Sequence, residues 1–116
     1  MEALAHPRAA ARRNGGVALM DAVQLDYIVT PFRAQRFFEL YYPAIRRPLS
    51  YGATGYVFYR SEEDSDHFVH MIYWEDRAGF DRWWLSHEMQ EIRVAVSGLH
   101  GQPVLPKWNT VIDQRP

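Results

Sequence analysis

The sequence predicts an α+β domain with the order strand, helix, strand, strand, helix, strand. Three observations carry this. Residues 23–29, 52–60 and 67–74 are rich in β-branched and aromatic residues. Helical spacing of apolar residues follows the first and third of these segments. A last β-rich segment, residues 104–112, closes the chain behind Gly98 and Gly101. At 116 residues there is room for one folded unit.

The elements follow in turn. Residues 1–20 are rich in Ala and Arg, hold no aromatic and contain Asn14-Gly15-Gly16, the composition of a flexible arm. Met20 stands directly before the first strand, so translation starting there is an expectation, and residues 21–116 form the domain. Val23, Leu25 and Tyr27 alternate with Gln24 and Asp26 in the first strand. Thr30-Pro31 reads as a helix cap followed by Pro at the first helical position. Phe37, Phe38, Tyr41, Tyr42 and Ile45 keep helical spacing until Pro43 breaks or kinks the helix and Pro48 ends it. Tyr56, Val57, Phe58 and Tyr59 centre the second strand, and the acidic stretch 61–66 is a solvated turn into the third. Asp76 and Ser86 are caps for two helical pieces, the second running to Ser97. Pro106 makes the final strand an edge strand or a bulged one.

This order is the split βαβ arrangement of ferredoxin-like folds, a four-stranded antiparallel sheet with helices on one face. Apolar residues on both parities of the strands imply that a second copy covers the other face, giving a homodimer. Six Phe, seven Tyr and four Trp make up 15% of the chain, so a sizeable core is available.

Composition narrows the function. The formal net charge is −1 and no basic stripe lies beyond the N-terminus, which argues against nucleic acid. There is no cysteine, hence no disulfide, thiolate metal site or Cys nucleophile. No apolar run reaches the ~18 residues of a membrane span, and a cytoplasmic protein is the default expectation. His67 and His70 are three apart on a strand and point to opposite faces. His87-Glu88-Met89-Gln90-Glu91 lacks the final zinc ligand of the metalloprotease helix. Metal is therefore not expected.

The stretch Phe68-Val69-His70-Met71-Ile72-Tyr73-Trp74-Glu75-Asp76, then Ala78-Gly79-Phe80, then Ser86-His87, resembles the antibiotic biosynthesis monooxygenase-like group of the dimeric α+β barrel superfamily. Pro103 and Trp108 in the closing segment fit as well, and the resemblance covers about residues 22–113. It implies oxidation of a phenolic or anthrone-like molecule by O₂ without a cofactor, the substrate lying between sheet and helices. The superfamily also holds cyclases, isomerases and haem-degrading enzymes. Haem-degrading relatives use an Asn on the first strand, a Trp ending the third and a His on the next helix. Here those positions hold Asp26, Trp74 and a residue near Trp83 or Trp84, which makes haem degradation a poor fit.

The site expected from the residues lies beside Trp74. Alternation puts Phe68, His70, Ile72 and Trp74 on one strand face. His70 or His87 is the candidate base, because imidazole titrates near neutrality. For His70 the competing assignment is a core histidine bonded to a backbone carbonyl, and for His87 an exposed surface residue. Asp26 is a cleft carboxylate or the partner of an Arg such as Arg93. Trp74, Phe68, Tyr41, Trp84 and Tyr56 are the candidate substrate wall. Trp83 and Trp84 are adjacent and cannot face the same way, so one belongs to the core and the other to a cleft or interface. Besides an oxygenase, the same residues allow a polyketide cyclase or isomerase, or a non-catalytic small-molecule-binding dimer. A cavity of roughly 300 Å³ or more beside Trp74 would favour the enzymes.

Overall fold

In the computed structural model, residues 12–14 and 17–115 are described, with side chains from Met20 onward. The strands are β1 (Arg12–Asn14), β2 (Val17–Ile28), β3 (Ala53–Arg60), β4 (His67–Trp74) and β5 (Lys107–Val111). The helices are α1 (Ala34–Ile45), α2 (Arg77–Trp84) and α3 (His87–Val96), with short 3-10 turns at Arg47–Tyr51 and Ser97–Leu99. Strands β3, β4, β2 and β5 lie side by side in that order, all antiparallel. This is the ferredoxin-like arrangement. β1 pairs with the beginning of β2.

The first strand thus starts earlier than its alternation predicts, at Val17 rather than beside Met20. Part of the expected arm, residues 12–14 and 17–20, is β-structure, and the pairing Arg12↔Leu19 supplies the ladder partner. The rest of that arm, residues 1–11 with 15 and 16, lies outside the described residues.

Helix ends follow local chemistry. Asp76 accepts from the Ala78 amide and Ser86 from the Met89 amide, each satisfying a donor that the first helical turn leaves free. α1 departs from its expected start. It begins at Ala34, not Pro31, and Thr30 instead donates its hydroxyl to the Leu99 carbonyl at 2.7 Å. Phe32 takes φ +71°, which no helix start allows. Pro43 sits within α1, which continues to Ile45.

All three helices pack on one sheet face. Val23, Leu25 and Tyr27 of β2 and Phe68, His70, Ile72 and Trp74 of β4 point into that layer, against Phe37 and Tyr41 of α1, Phe80 and Trp83 of α2 and Met89 of α3. Trp74 and Trp83 are completely buried, with no hydrogen-bond partner for either indole N–H. Rings burying ~150–250 Å² at about 25 cal/mol per Å² contribute roughly 4–6 kcal/mol each, against ~1–3 kcal/mol for an unpaired donor, so burial wins. Trp74 reaches its place only because residue 79 is glycine. A Cβ there would stand 2.6 Å from the Tyr51 carbonyl oxygen and 2.8 Å from the Trp74 ring. The opposite sheet face carries Gln24, Asp26, His67, Met71, Tyr73, Val57, Tyr59 and Lys107, and among the described residues no helix lies over it.

Candidate functional site

The expected pocket beside Trp74 is filled. Trp74 meets Phe80 edge-on at 6.2 Å and lies under Gly79. Its role as a substrate wall is corrected to a core role: the short approach of α2 leaves no room.

His70 is equally enclosed, with no exposed surface. Its Nε2–H donates to the Ile45 carbonyl at 3.0 Å, and its Nδ1 accepts from the Tyr41 hydroxyl at 2.8 Å. Tyr41, Phe58 and Trp83 surround the imidazole edge-on at 5.6–5.9 Å, with Tyr56 at 6.2 Å. Burial drives its pKa down to about 4, against the smaller opposing pull of the Ile45 carbonyl. The ring is neutral with both nitrogens committed, so it is not a base for a bound molecule. Tyr41 and Tyr56 likewise serve as packing around it. Phe68 stacks on Phe58 and faces a different, smaller cleft of about 340 Å³ next to Phe38 and Arg60.

Asp26 lies on the uncovered sheet face. It accepts from His67 at 2.9 Å, Lys107 at 3.0 Å and Gln24 at 3.0 Å. Partial burial would raise its pKa, yet these donors outweigh it and the net shift is downward. The expected pairing with Arg93 does not occur. His87 projects from α3 with its side chain 87% exposed and pairs with Glu91, four residues on. The three candidate catalytic residues are thus apart from one another: His70 in the core, Asp26 on the uncovered sheet face and His87 on the outside of α3. Among the described residues no three His, Cys, Asp or Glu side chains converge to hold a metal ion.

A different cleft is open. It measures about 550 Å³ and lies between the end of β2, the C-terminal half of α3 and the segment 100–104. Tyr27, Trp84, Arg93, Val96, His100 and Val104 are among its lining residues. Trp83 takes the core position and Trp84 the cleft, which resolves the adjacent pair. The Arg93 guanidinium lies 4.1 Å over the Trp84 ring and donates to the Trp84 carbonyl at 3.4 Å, a cation–π contact that holds the charge at the cleft wall. Tyr27 is only 2% exposed, and its hydroxyl has no hydrogen-bond partner. Its ring packs on that of Tyr41 at 4.8 Å, and burial pushes the Tyr27 pKa up to about 12 against the smaller opposing pull of the Tyr41 hydroxyl. His100 meets the Tyr27 ring edge-on at 5.8 Å, and its Nδ1–H donates to the Gln102 carbonyl at 2.8 Å.

Residues 25–95, well over half of the chain, match the family described as antibiotic biosynthesis monooxygenase. The chain belongs to that family. Solved structures agree on the fold. A conserved protein from Methanosarcina mazei Go1 superposes with TM-score 0.71 at 22% identity, covering 78% of this chain and 91% of that one. Rv0793 from Mycobacterium tuberculosis gives 0.72 at 19%, covering 84% and 99%. A structure described as an antibiotic biosynthesis monooxygenase gives 0.67 at 16%, covering 84% and 99%. No functionally curated protein matches the chain. As an antibiotic biosynthesis monooxygenase family member, the chain has a monooxygenase-type function as its coarse assignment.

The haem-degrading pattern does not fit this family member. Of its three positions only Trp74 keeps the residue type, and that ring is sealed in the core. Sequence reasoning missed Tyr27, Arg93 and His100 as cleft residues. Tyr27 carried a readable signal, since alternation put it on the helix-facing side of β2. His100 carried none, because nothing local ties residue 100 to residue 27.

Proposed function

We propose that this protein is a cofactor-independent monooxygenase that oxidises a flat phenolic or polyketide-like molecule with O₂ in the cleft between Tyr27, Trp84, Arg93 and His100. The observation that carries this reading is an open cleft of about 550 Å³ lined by Tyr27, Trp84, Arg93 and His100, with the Arg93 guanidinium held over the Trp84 ring. The apolar lining of Val96, Val104 and Pro103 suits an aromatic body, and the Arg93–Trp84 wall suits an electron-rich ring that becomes anionic.

The chemistry needs only the substrate and O₂. A deprotonated phenol is electron-rich enough to transfer an electron to O₂, and recombination gives a peroxide. Loss of water then leaves a quinone. One oxygen atom enters the product and the other leaves as water, so a C–H and an O–H bond are consumed. Arg93 in the cleft wall meets the negative charge.

The protein acts as a homodimer in this reading. Val57 and Tyr59 are 45% and 48% exposed on a sheet face that no helix among the described residues covers, and Met71 and Tyr73 lie beside them. A second copy is the partner that such a face accepts. A cytoplasmic location belongs to the same reading. Among the described residues no helix is long and apolar enough to cross a membrane.

Oxygen consumption with a panel of anthrones and naphthols tests the function. Uptake stoichiometric with quinone formation supports it. Binding without O₂ uptake across the panel would leave a cyclase or a non-catalytic binder instead.

A further inference from the structure

We propose that His100 is the proton acceptor of the cleft. This deepens the monooxygenase reading and rests on the same cleft as the substrate site.

Of the histidines expected to act as base, His70 has both nitrogens engaged inside the core and His87 stands on the outer face of α3. His100 differs from both. Its ring lines the cleft. The Gln102 carbonyl can only accept, so it fixes the proton on Nδ1 and leaves Nε2 as the available lone pair. A neutral imidazole held in one tautomer is the arrangement that general-base chemistry needs.

The segment that carries it is pinned. The Leu99 carbonyl accepts from both the amide and the hydroxyl of Thr30, at 2.8 and 2.7 Å. His100 itself forms a β-bridge with Val29. These bonds join the segment after α3 to the end of β2, the strand that supplies Tyr27. The ring of His100 and the ring of Tyr27 are therefore fixed relative to each other, edge-on at 5.8 Å.

The titratable groups lining the cleft are Tyr27, Arg93 and His100. Tyr27 resists ionisation because it is buried, and Arg93 is a permanent cation. Only His100 can take a proton. The step is simple: the phenol O–H bond breaks, its proton goes to Nε2, and the electron pair stays on the phenolate oxygen. The imidazolium and the phenolate balance in charge. Arg93, in the wall of the same cleft, stabilises the anion.

The test uses 4-nitrophenol, whose phenolate has its own visible band, at a pH where the free probe is mostly neutral. Quenching of tryptophan fluorescence reports binding. In the full-length wild-type chain the band is expected to grow in step with the quench. In His100→Phe, which keeps the ring contact with Tyr27, the quench persists and the band falls at least tenfold. His100→Gln is the second variant and behaves in the same way. A bound probe that stays neutral in the wild type, or a band that survives in either folded variant, overturns the proposal. Failure of the function reads differently. Phenolate formation that depends on His100 without oxygen uptake removes the monooxygenase and keeps the base. Oxygen uptake that is unchanged in His100→Phe keeps the monooxygenase and removes the base. Absence of any quench by the probe or by an anthrone removes both.

Discussion

The Tyr41 hydroxyl donates to Nδ1 of His70 across 2.8 Å in a place that neither side chain shares with solvent. The histidine hands its own proton to the Ile45 carbonyl, an acceptor at the C-terminal end of α1. One imidazole thus ties α1 to β4 at two points.

The first prediction concerns acid stability. The folded pKa of His70 is about 4, below its ordinary 6.5. The unfolded chain therefore binds more protons between these values, and stability falls as pH drops through that window. The full effect is roughly 3 kcal/mol, complete near pH 4. Asp26, with its lowered pKa, adds loss in the same direction at lower pH. Urea denaturation at pH 7 and pH 4.5 measures this. In His70→Gln, the difference between the two pH values shrinks.

Tyr27→Phe should spare both stability and binding. The substitution removes a buried hydroxyl that has no partner, so the melting temperature holds or rises slightly, by up to about 1 kcal/mol in stability. Affinity for a phenol stays within about twofold, ~0.4 kcal/mol, because the hydroxyl is buried behind the cleft wall. Calorimetric melting and fluorescence titration check the two halves. A clear loss of stability would mean that the hydroxyl is already satisfied.

Gly79→Ala sets two effects against each other. Alanine favours a helix by about 0.8–1 kcal/mol over glycine. The new methyl group, however, meets backbone at 2.6 Å and the Trp74 ring at 2.8 Å. Overpacking costs ~1–3 kcal/mol and dominates, because the Tyr51 carbonyl cannot swing away as a side-chain tip can. Net destabilisation with a changed near-ultraviolet circular dichroism signal is expected.

His87→Ala is expected to change little. The side chain is 87% exposed and pairs with Glu91 on the same helix. Stability should stay within ~0.5 kcal/mol and turnover should equal that of wild type. A large loss of turnover with binding intact would place the chemistry at the start of α3, outside the cleft.

Met71→Glu tests the uncovered sheet face. Met71 faces Gln24 and Val57 across the sheet, half-buried already in one copy. A carboxylate there would be desolvated in a dimer at a cost of several kcal/mol. Sedimentation should show a dimer for wild type and a monomer for the variant. The isolated fold should survive, since the core lies on the other side.

Much of the fold was legible because it is written locally. Alternation fixed the faces of β4, and the oxygen-bearing side chains of Asp76 and Ser86 fixed the starts of α2 and α3. The beginning of α1 was not, because Thr30 spends its hydroxyl on Leu99, sixty-nine residues away. The site was hidden for the same reason. Trp74 and His70 are conspicuous in sequence, yet the glycine at 79 lets α2 settle on them and closes the space. The cleft opens where β2, α3 and the segment after it diverge, and Tyr27, Arg93 and His100 meet there only through the tertiary fold.

His70 also solves a problem of alignment. Phe68, His70 and Ile72 occupy alternate positions on β4, all facing the helices. A slip of β4 by two residues would keep every apolar side chain on the inner face, so greasy pattern alone could not forbid it. Such a slip would present Phe68 or Ile72 to the Tyr41 hydroxyl and the Ile45 carbonyl, and strand both of them without a partner. The buried imidazole therefore acts as a key cut for one lock position: it adds little as a hydrophobe but makes the neighbouring registers expensive.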